Sequence, residues 1–429
     1  MNADLKRIRT EAETAVLEAF IDLENDLPGK AETHAARRGR MALFEQAGLP
    51  HRRIEEWKFT DLRSFMRTFG PVADGTAEIA APQPIIENAL QIALIDGALK
   101  SVSELPEGIA LFSLGEALEA GLVDLDGPAT PDRALDALNA SFVRDGAVIQ
   151  VADGIELEAP IELIFLRSPK PEFAAARVHV LVGEGASVTV VERHVSEADV
   201  QSQSSVVTRY AVGKGAKTDV LRLQQEGQTA QHLGEIAFDI DGEAEARLLH
   251  LNTGAKMARV ETRASFWNTG ARFDLAGITM AKDRQHNDLT LYVDHLVPEC
   301  ESTETFKTVV DGMAKSVFQG KIVVAQDAQK TDAQMSTDAL LLSETSDMIA
   351  KPELEIFADD VSCAHGATCG EIDEDLMFYL LARGIPRPEA KKLLLQAFLS
   401  EGAELFDDHP FQQIAFDTVE QWLSQHAAS

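Results

Sequence analysis

A tight glycine turn recurs through the middle of the chain: VGEGAS at Gly183, VGKGAK at Gly213, IDGEAE at Gly242 and NTGARF at Gly270. The intervals are 30, 29 and 28 residues. Strand-like runs flank each turn, RVHVLV before the first and SVTVVERHV after it, and a polar loop such as SEADVQSQ leads to the next unit. Residues two apart in a strand share a face, so Val178, Val180 and Val182 point one way. Leu289, Leu291 and Val293 also share a face, with Thr290, Tyr292 and Asp294 opposite. A fixed period of strand, turn, strand and loop is the mark of units that bury their apolar faces by stacking on one another. No helical pattern separates the strands, which argues against a doubly wound sheet. The expected core is a mainly β parallel β-helix over residues 98–370, with a β-sandwich as the alternative.

Both flanks are helical. Residues 1–97 hold an N-terminal helical part and a transition segment, and residues 371–429 a C-terminal helical part. In the first helix Leu5, Ile8, Ala12, Val16 and Phe20 recur at helical spacing, and Pro28-Gly29 ends the pattern. A second helix, from about Glu32 to Ala47, stops at Gly48 and is read as carrying Arg37, Arg38 and Arg40 on a solvated face. Trp57 and Phe59 are expected to pack these helices together. In the transition segment QIALIDGAL reads as strand and turn, and SLGEALEAG as a short helix. Past Asp373, a capped helix and two more follow, and all are expected to cover an open end of the solenoid.

Charge limits the partners. Lys and Arg number 39 against 70 Asp and Glu, a net −31, which repels phosphate backbones and anionic lipid. Nucleic acid and membrane are excluded as expected partners. The chain has only three cysteines, Cys300, Cys363 and Cys369, and its N-terminus is charged. Those features point to a reducing, cytoplasmic setting.

Two of those cysteines fall in DDVSCAHGATCG, with His365 between them. On a strand, Cys363 and His365 project to the same side. Thiolate and imidazole are ligands for iron, zinc and iron–sulfur clusters. Yet C-x-H-x3-C lacks a fourth ligand and the usual C-x2-C spacing. Residue types alone leave open incidental cysteines, a stand-alone zinc site using Cys363, His365 and Cys369, and a role in metal or sulfur chemistry. The G-x-G turns lack the residues that complete a phosphate loop, and no other catalytic motif is present.

Longer segments carry a resemblance. VFQGKIVVAQDAQKTDAQMSTDALLLSE (Val317 to Glu344) and KPELEIFADDVSCAHGATCGEIDEDLMFYLLARGI (Lys351 to Ile385) resemble the SufB/SufD family, the scaffold subunits of SUF iron–sulfur cluster assembly. GLPHRRIEEWKFTDL and DHLVPECEST are similar to further family segments. CAHGAT is the SufD form of the motif, and residues 343–351 lack the cysteine that SufB tends to carry there. Cys369 stands where many SufD sequences have an aliphatic residue.

The resemblance implies a right-handed parallel β-helix flanked by helical domains and a non-catalytic scaffold role. It implies pairing with SufB, or a homodimer when SufB is absent, and binding of the ABC-type ATPase SufC through the C-terminal helices. His365 and Cys363 are then the candidates for holding iron or a transient iron–sulfur cluster shared with SufB. Lys391 and Lys392 are the candidates for the SufC contact. Reduced flavin is a further ligand the resemblance raises, without pointing to residues. A SufB-like subunit and a β-helix carbohydrate-active enzyme are the alternative readings.

Overall fold

The computed structural model describes residues 9–125, 133–170 and 172–427; Leu5 and Ile8 lie outside them. From Asp145–Val151 onward, consecutive strands alternate between two sheets, one of ten strands and one of nine. A typical coil is Phe173–Val182, a turn, Ser187–Ser196 and a loop, after which Gln203–Val212 starts the next coil. Each strand pairs in parallel with its equivalent in the following coil, so side chains stack in columns. One column runs Val180, Tyr210, Phe238, Ala264, Val293, Ile322, Leu354 through the space between the sheets. The chain is therefore a parallel β-solenoid. β-Branched and aromatic residues at alternate positions suit such an interior, which is apolar from both sides.

The four glycines fall on four successive turns of one corner, between the nine-stranded and the ten-stranded sheet. What repeats most strictly is a left-handed residue at each turn: Gly154, Gly185, Gly215, Glu243, Gly270, Glu299 and Lys330 all have positive φ. Each donates its N–H to a carbonyl in the next coil, as Gly185 does to Lys214 and Gly215 to Gly242. Gly183 and Gly213 have a different reason to be glycine. A Cβ on Gly183 would lie 2.6 Å from the Asp153 nitrogen, and one on Gly213 would lie 2.7 Å from the Val182 oxygen.

Helices α1 (Glu11–Leu23), α2 (Ala31–Ala47), α3 (Leu62–Phe65), α4 (Leu114–Ala120) and α5 (Ala134–Phe142) cluster on the nine-stranded side. Val16, Phe20, Trp57 and Phe142 form one core there with Phe173, Leu233 and Met257 of the sheet. α4 is the short helix read from SLGEALEAG, capped by Ser113 and closed by left-handed Gly121. QIALIDGAL forms two antiparallel strands, Leu90–Ile95 and Ala98–Val102.

Helices α6 (Glu374–Ala382), α7 (Arg387–Ser400) and α8 (Pro410–Ala427), with a 3-10 segment at Glu401–Phe406, complete the chain. Leu395, Leu399, Phe406, Val419 and Trp422 pack onto the outer face of the ten-stranded sheet, against Leu221, Leu223, Leu249, Leu251 and Ile278. This corrects the expectation that the helices close the solenoid ends: they cover its flanks. At the N-terminal end the sheets finish in antiparallel strands, Ala98–Val102 and Ile109–Ser113. At the C-terminal end the parallel strands Asp347–Ile356 and Ser362–Gly370 are edges, and both are largely solvent-facing.

The arginines of α2 also depart from expectation. Arg38 is exposed, but Arg37 and Arg40 are buried. Arg37 donates to the Ala140 carbonyl at 2.7 Å and to Pro28 at 3.1 Å, and Arg40 donates to Leu125 at 2.5 Å. Carbonyls left without partners at helix ends and loops draw the guanidinium groups inward.

Candidate functional site

The final strand, Ser362–Gly370, pairs in parallel with Asp332–Leu340. Cys363 lies opposite Ala333, His365 opposite Met335 and Cys369 opposite Ala339. Ala333 and Met335 belong to the solenoid interior, and Cys363 packs against that core. Strand parity puts Cys363, His365, Ala367 and Cys369 on this same inward face. In earlier coils the inward face is sealed by the next coil. Among the described residues no further coil follows this strand, so Cys363 is half-buried while His365 and Cys369 are exposed.

All three cysteines are free thiols, and Cys300 is buried at a corner far along the chain from the pair. Burial raises the Cys363 thiol pKa above its ordinary value, and the nearby Asp332 and Glu304 carboxylates act in the same direction. Burial also raises Cys369, with Asp347 adding to it. Neither thiol is primed as a thiolate in the isolated chain. Among the described residues no three His, Cys, Asp or Glu side chains converge as a metal site. The adjoining strand offers Ala333, Met335, Thr337 and Ala339 toward this face, which contributes no carboxylate or imidazole. The arrangement can place one imidazole and one thiol at an open solenoid mouth and leaves their remaining coordination unfilled.

The second candidate surface is on α6 and α7. Lys391 and Lys392 are half-buried; Lys392 reaches Glu420 at 3.5 Å, and Lys391 lines a groove of about 630 Å³ with Glu344, Glu371 and Glu374. Apolar side chains dominate the face itself: Leu376, Phe378, Tyr379 and Leu393 are exposed, Phe378 by 71%. The density of LMFYLL exceeds what one helix stripe can bury, and only Met377 of α6 is buried.

Residues 165–398 match the family model described as SUF system FeS cluster assembly, SufBD core domain. A SufBD family protein of Synechocystis is 31% identical over 390 residues, which is 85% of each chain. The chain belongs to the SufBD family. It is an iron–sulfur cluster assembly protein of that family, which sets the carbohydrate-enzyme reading aside. The SufD of Escherichia coli is 28% identical over 88% of this chain and 90% of its own. The SufB of Bacillus subtilis is 25% identical over 62% of this chain and 58% of its own. Among the described residues of this SufBD protein no helix is long and apolar enough to cross a membrane.

Proposed function

We propose that this chain is the SufD-type scaffold subunit of an iron–sulfur assembly complex. Its open final coil pairs with a SufB-type partner, and His365 with Cys363 helps to receive iron or a nascent cluster at the seam. The observation that carries the reading is an inward-facing pair, exposed His365 and half-buried Cys363, on an unpaired sheet edge. Such an edge presents a row of free backbone groups to another strand, and leaving it uncovered is a liability unless a partner takes it. Iron–sulfur centres need about four protein ligands, and this chain offers two at the mouth. Ligands from a partner complete the set, so neither subunit holds the cargo alone. His365 is the leading ligand because a neutral imidazole binds iron without first losing a proton. Cys363 is second, because its raised pKa must fall before it can bind.

The match to the Escherichia coli SufD over nine-tenths of both chains supports the SufD assignment over the SufB one. The α6–α7 face fits the SufC-type ATPase, with Phe378 and Tyr379 as apolar anchors and Lys391 at the rim.

The test is reconstitution of the complex with SufB and SufC partners. His365→Ala is expected to leave assembly of the subunits intact and to abolish or sharply reduce cluster formation. Normal cluster yield from that variant would refute the role of His365. Lys391→Glu with Lys392→Glu, and separately Phe378→Ala with Tyr379→Ala, should lower ATPase recovery in pull-downs while SufB still binds; full recovery would move the contact elsewhere.

A further inference from the structure

Far from the open mouth, a concave groove of about 760 Å³ runs along the corner where the glycine turns stack. Its floor is the outward row Leu181, Ala211 and Asp239, in register on three successive strands. Gly183 and Gly213 have no side chains to fill the notch, and the close approach of neighbouring coils keeps them glycine. At one end stands Trp267, 55% exposed, with its indole N–H donated to Asp239 Oδ1 at 2.9 Å. Asp241 sits beside it, held by Asn268 Nδ2 at 2.6 Å and by the Gly242 N–H at 2.7 Å.

The carboxylates buried under the N-terminal layer meet arginines: Asp136 with Arg177, Glu235 with Arg133, Glu261 and Asp288 with Arg259. Asp239 and Asp241 have neutral donors only, and among the described residues no Lys or Arg pairs with either. The indole is thus oriented by one carboxylate, beside a second, at the end of a floor whose remaining residues, Leu181 and Ala211, are apolar. A cation on an aromatic face is stabilised by the ring and more so by adjacent carboxylates. The chain's net charge of −31 attracts basic partners to the same surface.

We propose that this groove docks an extended basic segment of a partner protein. A Lys or Arg of the segment lies on Trp267 between Asp239 and Asp241, and aliphatic side chains two and four residues along, which share its face of the extended segment, lie on Ala211 and Leu181. The groove crosses six strands, from Ile109–Ser113 to Met257–Phe266. At about 4.8 Å per strand it spans about 24 Å, the length of roughly seven extended residues.

Trp267 supplies its own reporter, since Trp57 and Trp422 are buried. The probe is an end-blocked hexapeptide with arginine at its first position, leucine at its third and fifth and serine elsewhere, titrated at low salt. A saturable change in tryptophan fluorescence is expected. Affinity should fall at least tenfold in Asp239→Asn with Asp241→Asn, which keeps the indole's acceptor, and should fall with added salt as exposed charges are screened. Glu11→Gln with Glu18→Gln, on the exposed face of α1, should leave affinity unchanged, and a glutamate–leucine hexapeptide should not bind. The proposal is overturned by no saturable signal, by undiminished affinity in the Asn pair, or by an equal loss in the Gln pair, which would mean general attraction to an acidic surface. A fluorescence change that tracks protein concentration without peptide would assign the groove to a second copy of the chain and equally overturn it.

Discussion

Thr368, on the exposed final strand, donates its hydroxyl hydrogen to Asp338 Oδ1 at 2.5 Å. The other Asp338 oxygen accepts from Lys307 Nζ at 3.0 Å, and the same ammonium donates to Glu401 Oε2 at 2.6 Å. Glu401 opens the 3-10 segment after α7, and Lys307 also lies 5.0 Å from the Phe398 ring centroid. One cation thus ties the strand of His365 to the C-terminal helices.

Lys307→Met retains the stem against Phe398 and removes both ion pairs. Asp338 and Glu401 are partly solvated, so we expect a loss of about 1–2 kcal/mol. Amide exchange should rise together in residues 362–370 and 387–406 and stay unchanged in the middle coils. A rise in one segment only would show that the cation does not link them.

Glu304 lies inside the solenoid, in the column Glu304, Met335, His365. It is fully buried, and the Ser302 hydroxyl, which also lies 3.1 Å from His295 Nε2, is the one neighbour that opposes its rise in pKa. Burial first, then nearby Asp274, pushes its pKa up from 4.5 to about 8. The folded chain holds this proton up to about pH 8, whereas the unfolded chain releases it near 4.5. Between those values the folded state binds more protons, so stability falls as pH rises. Glu304→Gln should therefore gain on the wild type through this window and level off above it, by roughly 1.4 kcal/mol per pH unit at most. Urea unfolding at several pH values measures the gap; a gap independent of pH would place the ionised carboxylate in a solvated site.

The solenoid was legible because its interior demands apolar residues at alternate positions, and each turn needs a compact corner. The place of the C-terminal helices was misread although a signal existed. In DVLRL and RLLHL, apolar residues occupy both strand parities, Leu221 and Leu223 outward beside Val220 inward. Outward leucines require a cover. Arg37 and Arg40 were misjudged because helical periodicity assigns charge to solvent, while their carbonyl partners Ala140 and Leu125 are about ninety residues and more away in sequence. The Cys363–His365 juxtaposition follows from period two alone. Its exposure does not, because whether a strand is the last of its sheet depends on what the following chain does. The Thr368–Asp338–Lys307 link needs the register of three coils, which the sequence period approximates only to a residue or two.

The guanidinium carbon of Arg259 lies 3.8 Å from the Trp57 ring centroid, under the N-terminal layer. Both residues are fully buried, and Arg259 also meets Glu261 at 2.9 Å and Asp288 at 2.7 Å. Trp57 thus pins its segment to the sheet as well as to the helices. Trp57→Ala should cost about 3–5 kcal/mol. Arg259→Met should cost a comparable amount, because buried Asp288 loses its cation and Glu261 keeps only Arg263, at 3.4 Å. Each should speed proteolysis within residues 48–66 before the solenoid opens. Cleavage beginning in the coils instead would mean that the stack stabilises the sheet itself.

The glycine turns allow a paired comparison in which two glycines two residues apart fail for different reasons. Gly183→Ala drives a Cβ to 2.5 Å from Asp153 Oδ1 and 2.6 Å from its backbone nitrogen. The carboxylate can swing aside but the backbone cannot, so coils must separate locally, at about 1–3 kcal/mol. Gly185 has φ of 64° and nothing within 4 Å of its Cβ position. There Ala costs only the left-handed conformation, about 1 kcal/mol, and Asn, which tolerates that region, should cost less. Glu243 and Lys330 already hold the equivalent place with φ of 59° and 64°. The expected order of destabilisation in thermal unfolding is Gly183→Ala, then Gly185→Ala, then Gly185→Asn. If Gly185→Ala proves the costliest, backbone conformation rather than coil-to-coil approach governs the corner, and the spacing of these turns follows the left-handed residue alone.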